Sequence, residues 1–174
     1  REAQVPALLE AYDIPCVFSD ALVLALTLHK GVTKRVVRDL GILTPDFAVV
    51  ADARELAAVR LPFPVFVKPV AEGTSRGITA RSRVRNRREL AAACRAVWRT
   101  CRQPALVEEF LPGREFTVGL TGTGRRATVV GVLEVTLRPQ AEAGVYSYVN
   151  KEQCEELVNY TLARDAVARQ VAAL

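Results

Sequence analysis

The sequence predicts an α+β chain in which antiparallel strands form sheets and helices pack between them. Three observations carry this. Segments with strand-type residues alternate along the chain with segments of helical apolar spacing, and adjacent strands are joined closely enough to pair. The 174 residues are 50% hydrophobic, 25% charged and 6% aromatic, the balance of a folded chain. No apolar run approaches the roughly 20 residues of a membrane helix; the longest, Ala21 to Leu28, is broken by Thr27 and followed by His29 and Lys30.

From the front, Val5 to Tyr12 reads as a short helix and Ile14 to Phe18 as an extended piece. Ser19 and Asp20 are N-cap types, whose side-chain oxygens satisfy the first free amides of the apolar helix behind them. His29-Lys30-Gly31 interrupts that run, and a second helix is expected from Val32 to Leu40, stopped by Gly41. Thr44-Pro45 leads into a strand, Phe47 to Val50, and Asp52 caps a helix, Ala53 to Val59. A second strand, Val65 to Lys68, is closed by Pro69, and after the loop Glu72 to Gly77 a third is expected at Ile78 to Arg81. Asn86-x-x-Glu89 has the form of a capping box. The helix behind it should run to Arg102, with Leu90, Ala93, Cys94, Val97 and Cys101 on one face. Gln103-Pro104 ends it, Ala105 to Phe110 is a strand, and Pro112-Gly113 is a turn. Glu115 to Thr121 and Ala127 to Leu137 read as a hairpin across Gly122-Thr123-Gly124. Residues 138 to 150 read as loop, and Glu152 to Leu174 as helix throughout.

Charge is unevenly placed. Residues 76 to 102 hold nine arginines against a single acid, Glu89, so the net +5 of the chain is concentrated there. Only Trp98 interleaves with them, and the segment is read as a solvated hairpin-and-helix face, with no nucleic-acid partner expected. Lysine is scarce: Lys30, Lys34, Lys68 and Lys151 stand against 20 arginines. A sequence this biased to Arg that writes Lys suggests a need for a compact ammonium, as at a tight phosphate site. Cys16, Cys94, Cys101 and Cys154 form no C-x-x-C pair, and one His leaves a zinc site almost no ligands. The four are read as core thiols of a reducing cytosol, and no membrane partner is expected. The chain opens Arg1-Glu2-Ala3-Gln4 with no apolar stretch behind it and contains no Met, so it reads as a cytoplasmic piece of a longer protein.

Three segments carry patterns with chemical meaning. In Val67-Lys68-Pro69-x-x-Glu72-Gly73-Thr74-Ser75-Arg76-Gly77, a Lys closes a strand and a small-residue hairpin follows. Small residues let backbone amides wrap an anion, and the Lys adds charge. The order of a Walker A loop is absent, and taken alone such a hairpin is more often a plain turn. In Leu106 to Glu115, Glu108 and Glu109 end an apolar strand and Glu115 lies past a tight turn. Backbone groups at such a hinge can pair with the edge of a flat base, and a carboxylate beyond can accept from hydroxyls; an exposed acidic strand end is the equal alternative. Tyr146-Ser147-Tyr148-x-x-Lys151 is an aromatic-flanked loop ending in Lys.

Together and in this order, these pieces resemble the ATP-grasp superfamily, and within it the D-alanine–D-alanine ligase branch. The matched stretches are His29-Lys30-x-x-Thr33-Lys34, Phe66-Val67-Lys68-Pro69, Glu72-Gly73-Thr74-Ser75-x-Gly77, Val107-Glu108-Glu109-Phe110, Gly113-Arg114-Glu115-Phe116-Thr117-Val118-Gly119 and Tyr146-Ser147-Tyr148-x-x-Lys151. The resemblance implies the ATP-grasp fold, an antiparallel sheet lobe with packed helices plus the beginning of a second α+β lobe, with ATP between lobes. Residues 1–18 would be the tail of an N-terminal substrate lobe, 19–112 the central lobe and 113–174 the first part of the C-terminal lobe. Residues 44 to 110 should then form a four-stranded antiparallel sheet with two helices. Lys30 and Lys68 would reach the ATP phosphates, and the loop with Gly73, Thr74, Ser75 and Gly77 would fold over them. Glu108, Glu109, Phe110 and Leu111 would form the adenine hinge, Glu115 would hold the ribose, and Lys151 would lie near the transferred γ-phosphate as the catalytic residue. The implied reaction joins a small amino-acid or peptide carboxylate to an amine through an acyl phosphate, releasing ADP and phosphate. A homodimer of the full-length protein is compatible with it.

The departures are equally specific. Asp commonly precedes the first Lys of this branch, where this chain has His29; Tyr commonly follows the last, where it has Glu152; and a Gly-Ser-Ser loop is here Gly73-Thr74-Ser75. The Arg-x-Asp and Glu-x-Asn that serve Mg²⁺ in the family have no match after Lys151, so the Mg²⁺ ligands are expected downstream and no metal ligand is assigned. Glu134 is the one remaining candidate. The chain alone is expected to be inactive. Two other readings stay open: a different ATP-grasp amino-acid or peptide ligase, and a non-catalytic nucleotide- or polyanion-binding module that uses the Arg-rich face.

Overall fold

The computed structural model describes residues 2–174, and most element ends follow local capping chemistry. Helix α1 spans Gln4–Ala11. The Asp20 carboxylate accepts from the Val23 amide at 2.8 Å and opens α2, Ala21–Leu28. His29 does more than interrupt the run: its Nδ1 accepts from the Val32 amide at 3.2 Å and caps α3, Lys30–Asp39, which starts at Lys30 rather than Val32. Strand β1 is Phe47–Val50; Asp52 then accepts from the Arg54 and Glu55 amides, both at 2.8 Å, and starts α4, Ala53–Ala58. Strand β2 is Val65–Pro69.

The third strand lies later than predicted. Residues 78–81 do not extend, because Thr79 and Ser82 cap one another across a 3₁₀ turn, Ala80–Ser82. Hydroxyls offer backbone groups this local alternative to a ladder, and β3 is only Arg83–Val84. Helix α5, Arg87–Cys101, starts where Asn86 accepts from the Glu89 amide at 3.0 Å. Glu89 returns bonds to the Arg85 amide and the Asn86 side-chain amide, both 2.8 Å. Strand β4 is Ala105–Glu109. The four strands pair antiparallel in the order β1-β4-β2-β3, with α4 and α5, as expected for residues 44 to 110.

Strand periodicity explains the rest of this unit, which ends at Phe110. Val65, Val67 and Val107 point to the face where Leu90, Cys94 and Val97 of α5 close the core, and Trp98 donates to the Val50 carbonyl at 2.9 Å. The intervening residues Phe66, Lys68 and Glu108 fall on the opposite face, with Glu108 registered against both Phe66 and Phe47. Helix α3 approaches that face closely. Gly31 is buried, and a Cβ there would lie 2.7 Å from the Val49 side chain.

The second unit, Leu111–Leu174, is a three-stranded antiparallel sheet. The predicted hairpin is present as β5, Glu115–Thr121, and β6, Thr128–Leu137. The tail is not helical throughout. It carries α6 (Tyr148–Glu152), α7 (Cys154–Leu157), a third strand β7 (Val158–Leu162) and α8 (Ala166–Ala172). Strand β7 registers Val158 against Leu137 and Leu162 against Leu133, so pairing to β6 overrides any helical preference of this segment. Residues 14–18 join no strand, and Phe18 is 90% exposed. The cysteines are all free, but only Cys94 is a core thiol; burial pushes it up to about 11, whereas Cys16 is exposed. Among the described residues no helix is long and apolar enough to cross a membrane.

Candidate functional site

Three of the four lysines converge on one face of the first unit. The register of β2 and β4 makes Lys68 and Glu108 diagonal neighbours on one face, with Lys68 Nζ 2.5 Å from Glu108 Oε1. From α3, Lys34 Nζ reaches the other oxygen, Oε2, at 2.9 Å and also donates to Thr44 Oγ1 at 2.5 Å. One turn earlier, Lys30 donates to the Glu72 carbonyl at 2.6 Å, while its backbone amide is fixed by the Val70 carbonyl at 2.9 Å. Burial, with the Lys68 charge adding to it, lowers Lys30 to about 8. Burial pushes Glu108 the other way, but the adjacent Lys68 and Lys34 ammoniums outweigh it and hold the carboxyl below its ordinary range. The resemblance implies that Lys68 reaches phosphates beside the Gly-rich loop. In this structure the acid Glu108 is its partner, and it is Lys30 that touches the loop.

The loop itself is sharply bent. Thr74 and Ser75 both take positive φ, 48° and 57°, and Gly77 follows at 78°. Left-handed φ costs a non-glycine residue roughly 1 kcal/mol or more. The turns are held by Arg76 N donating to Gly73 O at 3.0 Å and Ile78 N to Ser75 O at 2.9 Å. Gln103, which the sequence marks only as a helix stop, ties the loop base down. Its Oε1 accepts from the Ala71 amide at 2.6 Å and its Nε2 donates to Glu72 Oε1 at 2.8 Å. Clustered ammoniums beside such a loop can grip a polyanion.

Of the expected hinge residues, Glu108 has its side chain turned to the lysines. The Glu109 amide donates to the Asp46 carbonyl at 3.0 Å, and the Phe110 amide to the Pro64 carbonyl at 3.1 Å. The Phe110 ring stacks under the Arg83 guanidinium, 4.3 Å away. Leu111 is exposed and belongs to the second unit.

In that unit Lys151 sits on α6 with its ammonium 4.7 Å over the Tyr146 ring. The Tyr146 and Tyr160 hydroxyls are 2.5 Å apart. Burial, the bond to Tyr160 and the Glu115 carboxylate among other neighbours keep the Tyr146 phenol protonated. Two fully buried residues hold this loop in place. Ser147 caps α6 and donates to Glu142. Asn150 Oδ1 accepts from the Glu142 amide at 3.0 Å, and its Nδ2 donates to the Glu142 and Val145 carbonyls at 3.0 and 2.8 Å. From sequence, Ser147 stands out only as part of the aromatic-flanked loop and Asn150 is unmarked, although Ser147-x-x-Asn150 has the spacing of a cap. Asn150→Ala should cost about 3 kcal/mol, because it removes three bonds and strands buried backbone groups. Urea unfolding of the two proteins measures the difference.

Glu134, the candidate metal ligand, is already engaged. Arg114 grips it bidentately at 2.6 Å and 2.6 Å and reaches Asp165, the N-cap of α8, at 2.7 Å. Among the described residues no group of three or more His, Cys, Asp or Glu could hold a metal ion. With Glu134 held by Arg114, no residue is given a metal role.

The family model described as the D-ala D-ala ligase C-terminus matches residues 36–173. Over 153 residues the chain is 36% identical to the D-alanine–D-alanine ligase of Ralstonia pickettii, covering 87% of this chain and 44% of that protein. Over 149 residues it is 35% identical to that of Aquifex aeolicus, covering 85% and 47%. The chain thus spans less than half the length of these relatives. Among solved structures, the VanG D-Ala:D-Ser ligase from Enterococcus faecalis superposes with a TM-score of 0.75 at 25% identity, covering 99% of this chain and 50% of that one. The Bacillus anthracis D-alanine–D-alanine ligase complexed with ATP shares the fold, with a TM-score of 0.66 at 19% identity over 95% and 49% of the two chains.

Proposed function

The chain belongs to the D-alanine–D-alanine ligase family by its C-terminal family model, and from that premise we propose that it grips ATP for a cytoplasmic carboxylate–amine ligase. The observation that carries the reading is the meeting of Lys30, Lys68 and the bent loop at Gly73 to Gly77 on one face of the first sheet. In this reading residues 19–112 are the central lobe and 113–174 the first part of the C-terminal lobe.

When bound, ATP supplies a γ-phosphoryl group that turns an amino-acid carboxylate into an acyl phosphate, which an amine then converts to an amide. The chain's part is to bind and orient. Lys30 and Lys68 offset polyphosphate charge, and the amides and hydroxyls of Thr74 and Ser75 add neutral donors. Within the first unit, the strand end from Glu108 to Phe110 lines the adenine. D-alanine is the carboxylate and amine that the relatives' names suggest. No residue of this chain is assigned to Mg²⁺.

The test is titration calorimetry with ATP; an assay for D-alanine-dependent ADP release should show no turnover by this chain alone. Lys68→Ala should weaken ATP binding about tenfold or more, the loss of one charge-assisted contact. Lys30 binds an anion when protonated, so affinity should hold below pH 8 and fall as pH rises above about 8. Equal affinity in the Ala variant, or no ATP binding near pH 7, contradicts the reading.

A further inference from the structure

Lys34 is the lysine left without a role. Its side chain is 11% exposed, against 21% for Lys68, and it is anchored by Thr44 Oγ1, by Glu108 Oε2 and by the Phe47 ring 5.4 Å away. Lys68 likewise has Glu108 as its ionic partner and the Phe66 ring 5.8 Å away, but it is the more exposed of the two. The Glu108 carboxylate therefore joins a fixed ammonium to one that can leave.

Building on the ATP-binding reading, we propose that Lys34 is a positioning residue: it remains the counter-ion of buried Glu108 when the Lys68 ammonium turns to a polyphosphate. A carboxylate with 10% side-chain exposure cannot lose its last partner cheaply. Without Lys34, each Lys68–phosphate contact would abandon an uncompensated buried charge, and Glu108 would instead retain Lys68. The charged groups around Glu108 are Lys34 and Lys30 from α3, Lys68 from β2 and, beyond Lys30, Glu72. With Lys34 present, three ammoniums face two carboxylates, which leaves a net positive charge for the incoming anion. With Lys34 replaced by a neutral residue that surplus vanishes.

The experiment measures ATP affinity by calorimetry between pH 6 and 8 for the unsubstituted protein, Lys34→Met, Glu108→Gln and the double variant. Lys34→Met should bind about tenfold more weakly at pH 8. Combining Lys34→Met with Glu108→Gln should bring affinity back to that of Glu108→Gln alone, since no acid then competes for Lys68. A purely structural Lys34 predicts the opposite: a loss that the second substitution does not repair. That result, or unchanged affinity in Lys34→Met, overturns the inference while leaving the ATP-binding reading intact. Absence of ATP binding by the unsubstituted protein overturns both. Should Lys34→Met fold poorly, the comparison of the double variant with Glu108→Gln decides: equal affinities support the inference and a tenfold gap refutes it.

Discussion

Glu108→Ala is expected to lower the stability of the first unit by about 3 kcal/mol, the scale of breaking a buried ion pair from one side. The variant leaves the Lys34 and Lys68 ammoniums with the same burial and no carboxylate between them, while Lys30 and its charge stay nearby. The effect has a defined pH dependence. Glu108 is held below its ordinary 4.5 in the folded chain, so its contribution is fully present above that value. It is lost as pH falls through the depressed folded value, where the carboxyl takes up a proton. The gap between the two proteins in urea-midpoint measurements should therefore be widest near neutral pH and should close in acid. A gap that persists unchanged below pH 3 would show that Glu108 acts through packing rather than charge.

Gly77→Ala is expected to cost about 3 kcal/mol, from two sources of similar size. The residue has φ of 78°, where an L side chain pays about 1–2 kcal/mol. A Cβ would also lie 2.6 Å from Pro69 Cγ, 3.1 Å from Pro69 Cδ and 3.2 Å from Cys101 Sγ, and overpacking of this kind adds about 1–3 kcal/mol. Pro69 is a fully buried, ring-locked residue that follows Lys68, so it cannot swing aside. The shift would pass into the end of β2 and weaken ATP binding along with stability. Gly73→Ala is the internal control. Nothing lies within 4 Å of its Cβ position, and its φ is not in the left-handed range, so its urea midpoint should match that of the unsubstituted protein. Equal destabilisation by the two substitutions would mean that loop flexibility, not the Pro69 contact, sets the cost.

These expectations rest partly on features that were legible before any coordinates and partly on features that were not. Helix starts with a polar cap, at Asp20, Asp52 and Asn86, could be read directly, since the interaction spans only two or three residues. So could the strand from Val65 to Lys68 and the β5–β6 hairpin, because strand-type residues there lie between turn residues; the strand runs one residue further than predicted, to Pro69. The ordered motifs likewise identified the family and the lysines worth attention, since residue types and their spacing are properties of the chain alone.

Tertiary structure decided what depends on partners distant in sequence. Residues 158–162 became a strand because β6 offered an edge to pair with, and Val158, Tyr160 and Thr161 are residue types that suit it. Residues 78–81 turned instead of extending because Thr79 and Ser82 found one another first. Glu108 belongs to a buried ion cluster only because the β2–β4 register and the close approach of α3 at Gly31 bring Lys68 and Lys34 to its two oxygens. Glu134 was removed from the candidate ligands by Arg114, 20 residues away, which also holds Asp165. Sequence determines which groups can carry charge or start a helix within a few residues. Which charges meet, and whether water is excluded when they do, is settled by strand register and helix packing, both of which join segments tens of residues apart.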